Sequence, residues 1–126
     1  IDNDRAPMTA LRNIAPIFMR MLLGDRAILL NRVAASDSSG ELGAAISKGG
    51  REVIQPLLSQ LLRASGKVPE DQLALMTRTL VSLLVGDSQI KRVIGVMPPL
   101  DEEQIKARCA LALEQFEMLL EANARD

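Results

Sequence analysis

Residues 73–120 read LALMTRTLVSLLVGDSQIKRVIGVMPPLDEEQIKARCALALEQFEMLL, and this stretch decides the fold. It holds two helix-length segments separated by the hinge GDSQIKRVIGVMPPLDEE at 86–103. In the first segment Leu73, Met76, Leu80, Leu83 and Leu84 recur at helical spacing, and Ala74, Val81 and Val85 widen that stripe to roughly 200°. In the second, Ile105, Cys109, Ala112, Leu113, Phe116, Leu119 and Leu120 form the main stripe. A narrow second stripe of Ala107, Leu111, Met118 and Ala122 lies opposite, bordered by Glu103, Glu114, Glu117 and Glu121 on one side and Gln104, Arg108 and Gln115 on the other. An apolar seam between polar borders is the pattern of a subunit interface. Asp101 with Gln104 is a capping box that opens this last helix, which is expected to run to about Ala122.

The helical period extends through the rest of the chain. No strand-like alternation persists, and β-branched residues are sparse. A first helix is expected from about Met8 to Leu23, with Leu11, Ile14, Ala15, Phe18, Met21 and Leu22 on one side and Met8, Ile17 and Met19 widening it. Gly24 ends it, and Asp25 is the expected N-cap of a second helix over 26–35. The turn SDSSGE precedes a capping box of Ser38 and Glu41, which opens a third helix to about Ala64, closed by Gly66. Gly49 and Gly50 weaken that helix by about 1 kcal/mol each relative to Ala, and Pro56 is expected to kink it. Pro69 at the first helical position, followed by Glu70 and Asp71, starts the fourth helix. Gly86 and Gly95 bracket a short helical extension, and Pro98 and Pro99 break the chain before the last helix. The expected architecture is all-α, a single-domain bundle of five to six helices over residues 1–126.

Composition bounds what such a bundle does. At 126 residues, 48% of them apolar, the chain buries a core without staples. Phe18 and Phe116 are its only aromatics, so Leu, Ile, Val, Ala and six Met must fill the rest. A net charge of −1 argues against direct nucleic-acid binding, which needs a basic face to displace phosphate counterions. One cysteine excludes an intrachain disulfide and fits a reducing, cytoplasmic compartment. No uncharged apolar run is long enough for a membrane span. The opening IDNDRAP has neither an initiator Met nor a signal-peptide pattern, as expected of an excised domain.

Catalytic chemistry is absent. Without His, the chain lacks the commonest general base and metal ligand. Cys109 lies on the apolar stripe, where a small core residue is the ordinary reading. Glu114, Glu117 and Glu121 lack the Glu-x-x-His spacing of a di-metal bundle and read as a solvated face. Gly49-Gly50 follows no strand and lacks phosphate-loop spacing. We therefore expect no enzyme activity, no metal and no cofactor. The wide faces of the first and fourth helices have two readings, burial between several neighbours or the lining of an apolar cavity.

The segments LNRVAASDSSGELGAAISKGG at 30–50, LVSLLVGDSQIKRVIGVMPPL at 80–100 and RCALALEQFEMLL at 108–120 together resemble the C-terminal regulatory domain of the TetR family of transcriptional regulators. Arg32, Gly50, Gly86-Asp87, Gly95, Ala112 and Phe116 carry the resemblance. It spans about Met8 to Asn123; nothing in the chain matches the family's N-terminal DNA-reading helix-turn-helix. Where the family often has bulky aromatics in the third helix, this chain has Ala45, Ile46 and Ser47. The resemblance implies a homodimer paired through the last two helices, with a small apolar or amphipathic effector in a cavity among the first, third and fourth helices. DNA would be contacted only through the missing N-terminal domain, whose two heads must match half-sites about one DNA turn apart. On this basis the effector site is expected at Leu11, Phe18, Met21, Met76 and Leu80, with Arg12, Thr77 and Arg78 as polar anchors. The dimer seam is expected at Val81 and Val85 against Leu111, Gln115 and Met118. A helical dimerisation or protein-interaction module without a ligand is the alternative.

Overall fold

Leucine and methionine at helical spacing, with few β-branched residues, give helices that each bury one stripe. The computed structural model describes residues 5–124, and all regular structure among them is helical. In chain order the helices are α1 (Arg5–Leu23), α2 (Asp25–Ala35), α3 (Glu41–Gly49), α4 (Arg51–Ser65), α5 (Leu73–Val85), α6 (Ser88–Val93) and α7 (Glu102–Ala124), with a 3-10 turn at Glu70–Gln72. None is long and apolar enough to cross a membrane.

Four helices build the core. α1 packs on α4, α4 on α5, α5 on α7, and α7 back on α1. At the centre Leu11, Met19, Leu58, Leu62, Leu80 and Phe116 are sealed from solvent. Fully burying each such side chain contributes about 1.5–3 kcal/mol. The remaining helices form a flanking layer: α2 packs on α3, α3 on α4, and α6 on α2 and α1.

The expected third helix is two helices. It breaks at Gly50, whose backbone (φ −118°, ψ −92°) is not helical. The Gly49-Gly50 pair explains the position of the break, since two residues lacking a Cβ give up the least by leaving the helix. Pro16 and Pro56, by contrast, lie inside uninterrupted α1 and α4. Helix starts also differ in detail. Gly24, not Asp25, holds the N-cap position of α2, and Pro69 precedes its helical turn instead of opening it. At α3 the expected Ser38–Glu41 box is replaced by Asp37 and Ser39. Asp37 accepts hydrogen bonds from the backbone N–H of Ser39 (3.1 Å) and Leu42 (3.0 Å), and Ser39 Oγ accepts from Glu41 N–H (3.2 Å). Those bonds, Leu42 first, hold the Asp37 carboxyl below its ordinary value.

At α7 the capping box forms as read. Gln104 N–H donates to Asp101 Oδ1 at 2.8 Å, and Asp101 N–H donates to Gln104 Oε1 at 2.9 Å. Asp101→Ala is expected to cost about 1 kcal/mol of stability in urea unfolding, the usual value of a lost cap. An unchanged midpoint would mean that α7 is positioned without its box.

The junction of α5 and α7 is set by Gly86. Its φ of +50° disfavours any side chain, and a Cβ there would fall 1.9 Å from Arg108 Nη2. The absent side chain lets Arg108 lie across the helix end, where its Nε donates to Leu84 O at 2.9 Å. A last-turn carbonyl that α5 cannot satisfy itself is thus satisfied from α7.

Candidate functional site

Splitting the long helix at Gly50 leaves α3 standing off the four-helix core. A groove of about 1060 Å³ opens where α1 ends, bounded by α2, α3, the start of α4 and α6. Its volume suits a small organic molecule. Met21 and Leu22 come from α1, Leu30 from α2, Ala45 and Ile46 from α3, and Ile54 from α4. Small residues on α3, Gly43 and Ala45, keep the space open; a Cβ on Gly43 would meet nothing within 4 Å.

Polar groups frame this apolar surface. Arg20 is held by Glu102 through two bonds of 2.5 and 2.8 Å. The same pair raises the arginine's pKa and lowers the carboxyl's, in each case chiefly through the side-chain hydrogen bond. Asp25 accepts from Arg92 Nη2 at 2.9 Å. Arg92 is buried, and its Nη2 also reaches Leu23 O at 3.3 Å, while its Nε has no partner. Gln89 donates to Leu22 O at 3.1 Å, and Arg32 donates to Val93 O at 2.7 Å and Arg92 O at 3.0 Å. Through these bonds α6 straps the end of α1 to α2 beside the groove.

The expected effector residues separate into two groups. Leu11, Phe18, Met76 and Leu80 are buried in the core, and none of them lines the groove. Met21, 55% exposed, does line it. Of the expected polar anchors, Arg12 pairs with Glu117 at 2.6 Å, and Thr77 is buried with its hydroxyl donated to Leu73 O at 2.7 Å. Arg78 is exposed on α5. Leu30, Ile54 and Gln89 were not singled out as lining a site, because helical periodicity marks buried stripes and not the edges where several short helices meet. The Gly49-Gly50 pair, and Ala45, Ile46 and Ser47 in place of aromatics, were the available signals.

The expected seam also divides. Leu111, Gln115 and Met118 are exposed on the outer face of α7, whereas Val81 and Val85 are buried within the chain's own core. Leu119, expected in the core stripe, is 42% exposed. On α5 the exposed residues are Ala74, Leu75, Arg78 and Ser82.

A second cleft of about 520 Å³ runs between α1 and α7, over Pro16, Cys109 and Leu113. Burial pushes the Cys109 thiol up, away from the thiolate that nucleophilic chemistry requires. Among the described residues no group of three or more acidic or sulfur side chains is placed to hold a metal ion. Comparison with known proteins gives no match to this chain, whether among family models, curated proteins or solved structures.

Proposed function

We propose that this chain is the effector-binding and dimerisation domain of a TetR-like transcriptional repressor. It acts in the cytoplasm, where Cys109 stays reduced. The observation that carries the reading is the groove at the α1–α2 junction, closed on one side by Ala45, Ile46 and Gly43. Ala45 and Ile46 stand in the segment where the resembled family often has aromatics, and with the small Gly43 they leave room for a ligand. The outer stripe of α7 supplies the second requirement, an apolar seam for a second copy.

In this reading the effector enters the groove and bears on the strap formed by α6. That helix is joined to α5 through Gly86 and so to α7 through Arg108. A ligand releases DNA only by binding one arrangement of the dimer better than the other. Moving the population from about 1:99 to 99:1 takes roughly 5.5 kcal/mol of such preference.

Thermal denaturation with a panel of apolar and amphipathic compounds tests the reading. A ligand at about 100 times its dissociation constant adds about 2.7 kcal/mol, which raises the melting temperature by roughly 10 °C. If no compound shifts the transition while the protein remains dimeric, the alternative of a ligand-free dimerisation module replaces this one. Leu111 and Met118 serve that module equally well.

A further inference from the structure

Three charged side chains line the groove: Arg20, Asp25 and Arg26. Two are already matched within the chain, Arg20 by Glu102 and Asp25 by Arg92. No carboxylate pairs with Arg26 among the described residues. Arg26 is also the second residue of α2, so its guanidinium stands against the positive end of the helix dipole. Arg26 is exposed at the groove, so its guanidinium is free to meet a ligand there. Beside it the groove offers Met21 and Leu30, both exposed, together with Ile46 and Ile54.

We propose that the groove takes an anionic amphiphile, with a carboxylate on Arg26 and an alkyl or aryl tail against Leu30 and Ile46. This rests on the reading of the groove as the effector site. A guanidinium presents two parallel N–H donors that fit a carboxylate in a bidentate pair. A neutral ligand of the same length leaves Arg26 unmatched, and a cationic one is repelled by it.

Calorimetric titration with decanoate, decanol and decyltrimethylammonium, each below its aggregation threshold, tests the class on wild type, Arg26→Glu and Gly43→Trp. Decanoate is expected to bind wild type about tenfold more tightly than the other two, the effect of one charge-assisted contact. Arg26→Glu is expected to weaken decanoate about tenfold while holding or raising the melting temperature of the free protein, since it places an anion in the first turn of α2. Affinity and stability then move apart, which a merely structural arginine would not cause. Gly43→Trp fills open space in the groove and should abolish binding of decanoate. Equal affinity for all three probes, lost in Gly43→Trp, would overturn the anionic class and leave the groove as the ligand site. Decanoate binding that survives both substitutions overturns the groove itself, and failure of every probe to bind overturns both.

Discussion

Leu111→Glu combined with Met118→Glu is expected to turn the proposed dimer into a monomer in sedimentation velocity, with its helical content unchanged. The two side chains are 54% and 58% exposed, so glutamate at either place meets solvent in the isolated chain and costs the fold little. In a twofold interface each position occurs twice, which brings four carboxylates to one seam. Burial of Leu and Met, about 1.5–3 kcal/mol each, is lost, and like charges crowd across the axis. The borders of the stripe sharpen the expectation. Glu103, Glu114 and Glu121 are exposed along one edge, and Gln104 and Gln115 along the other, so among the described residues the new charges find no cation in the stripe. Arg108, the nearest one, is engaged with the end of α5. A dimer that persists in the double variant removes this seam from the interface, and a wild-type monomer removes the dimer.

The main stripes of α5 and α7 were legible in the sequence because burial there follows the helical period. Leu73, Met76, Leu80 and Leu84 on α5, and Ile105, Cys109, Ala112, Leu113, Phe116 and Leu120 on α7, are all buried. The period says how wide an apolar arc is, but not which neighbour covers its edge. Val81 and Val85 sit at such an edge, and the chain's own core covers them. Leu119 sits at another and is left largely open. The groove was harder to read for a different reason. Its walls come from Met21, Leu30, Ile46, Ile54 and Gln89, five short stretches that meet only after folding. Its volume depends on side chains that are missing, as at Gly43, and on a helix break whose cost the Gly49-Gly50 pair announced but whose angle it did not.

Phe116→Ala is expected to lower the stability of the free chain by about 3–5 kcal/mol, against a total of about 5–15 kcal/mol for a domain of this kind. Phe116 is fully buried, in the same cluster as Leu11, Leu58 and Leu80, and it is one of two aromatics in the chain. No other ring stands ready to fill the space. The same core cluster includes Met8, Met19 and Met76, whose flexible side chains help the core collapse partly into a void and draw the loss toward the lower end. Phe116→Leu, which keeps most of the volume, should cost less than about 1.5 kcal/mol. In urea the midpoint should fall with little change in slope, because the folded surface is unaltered. The contrast with the outer stripe is the informative part. Phe116 and Met118 are two residues apart, roughly 200° around the same helix. In the proposed dimer, one face of α7 should therefore fail by unfolding and the other by dissociation, and below its melting temperature Phe116→Ala should still sediment as a dimer. A loss below about 1 kcal/mol would show that Phe116 does not sit in a close-packed core, and would undo the assignment of α7's two faces together.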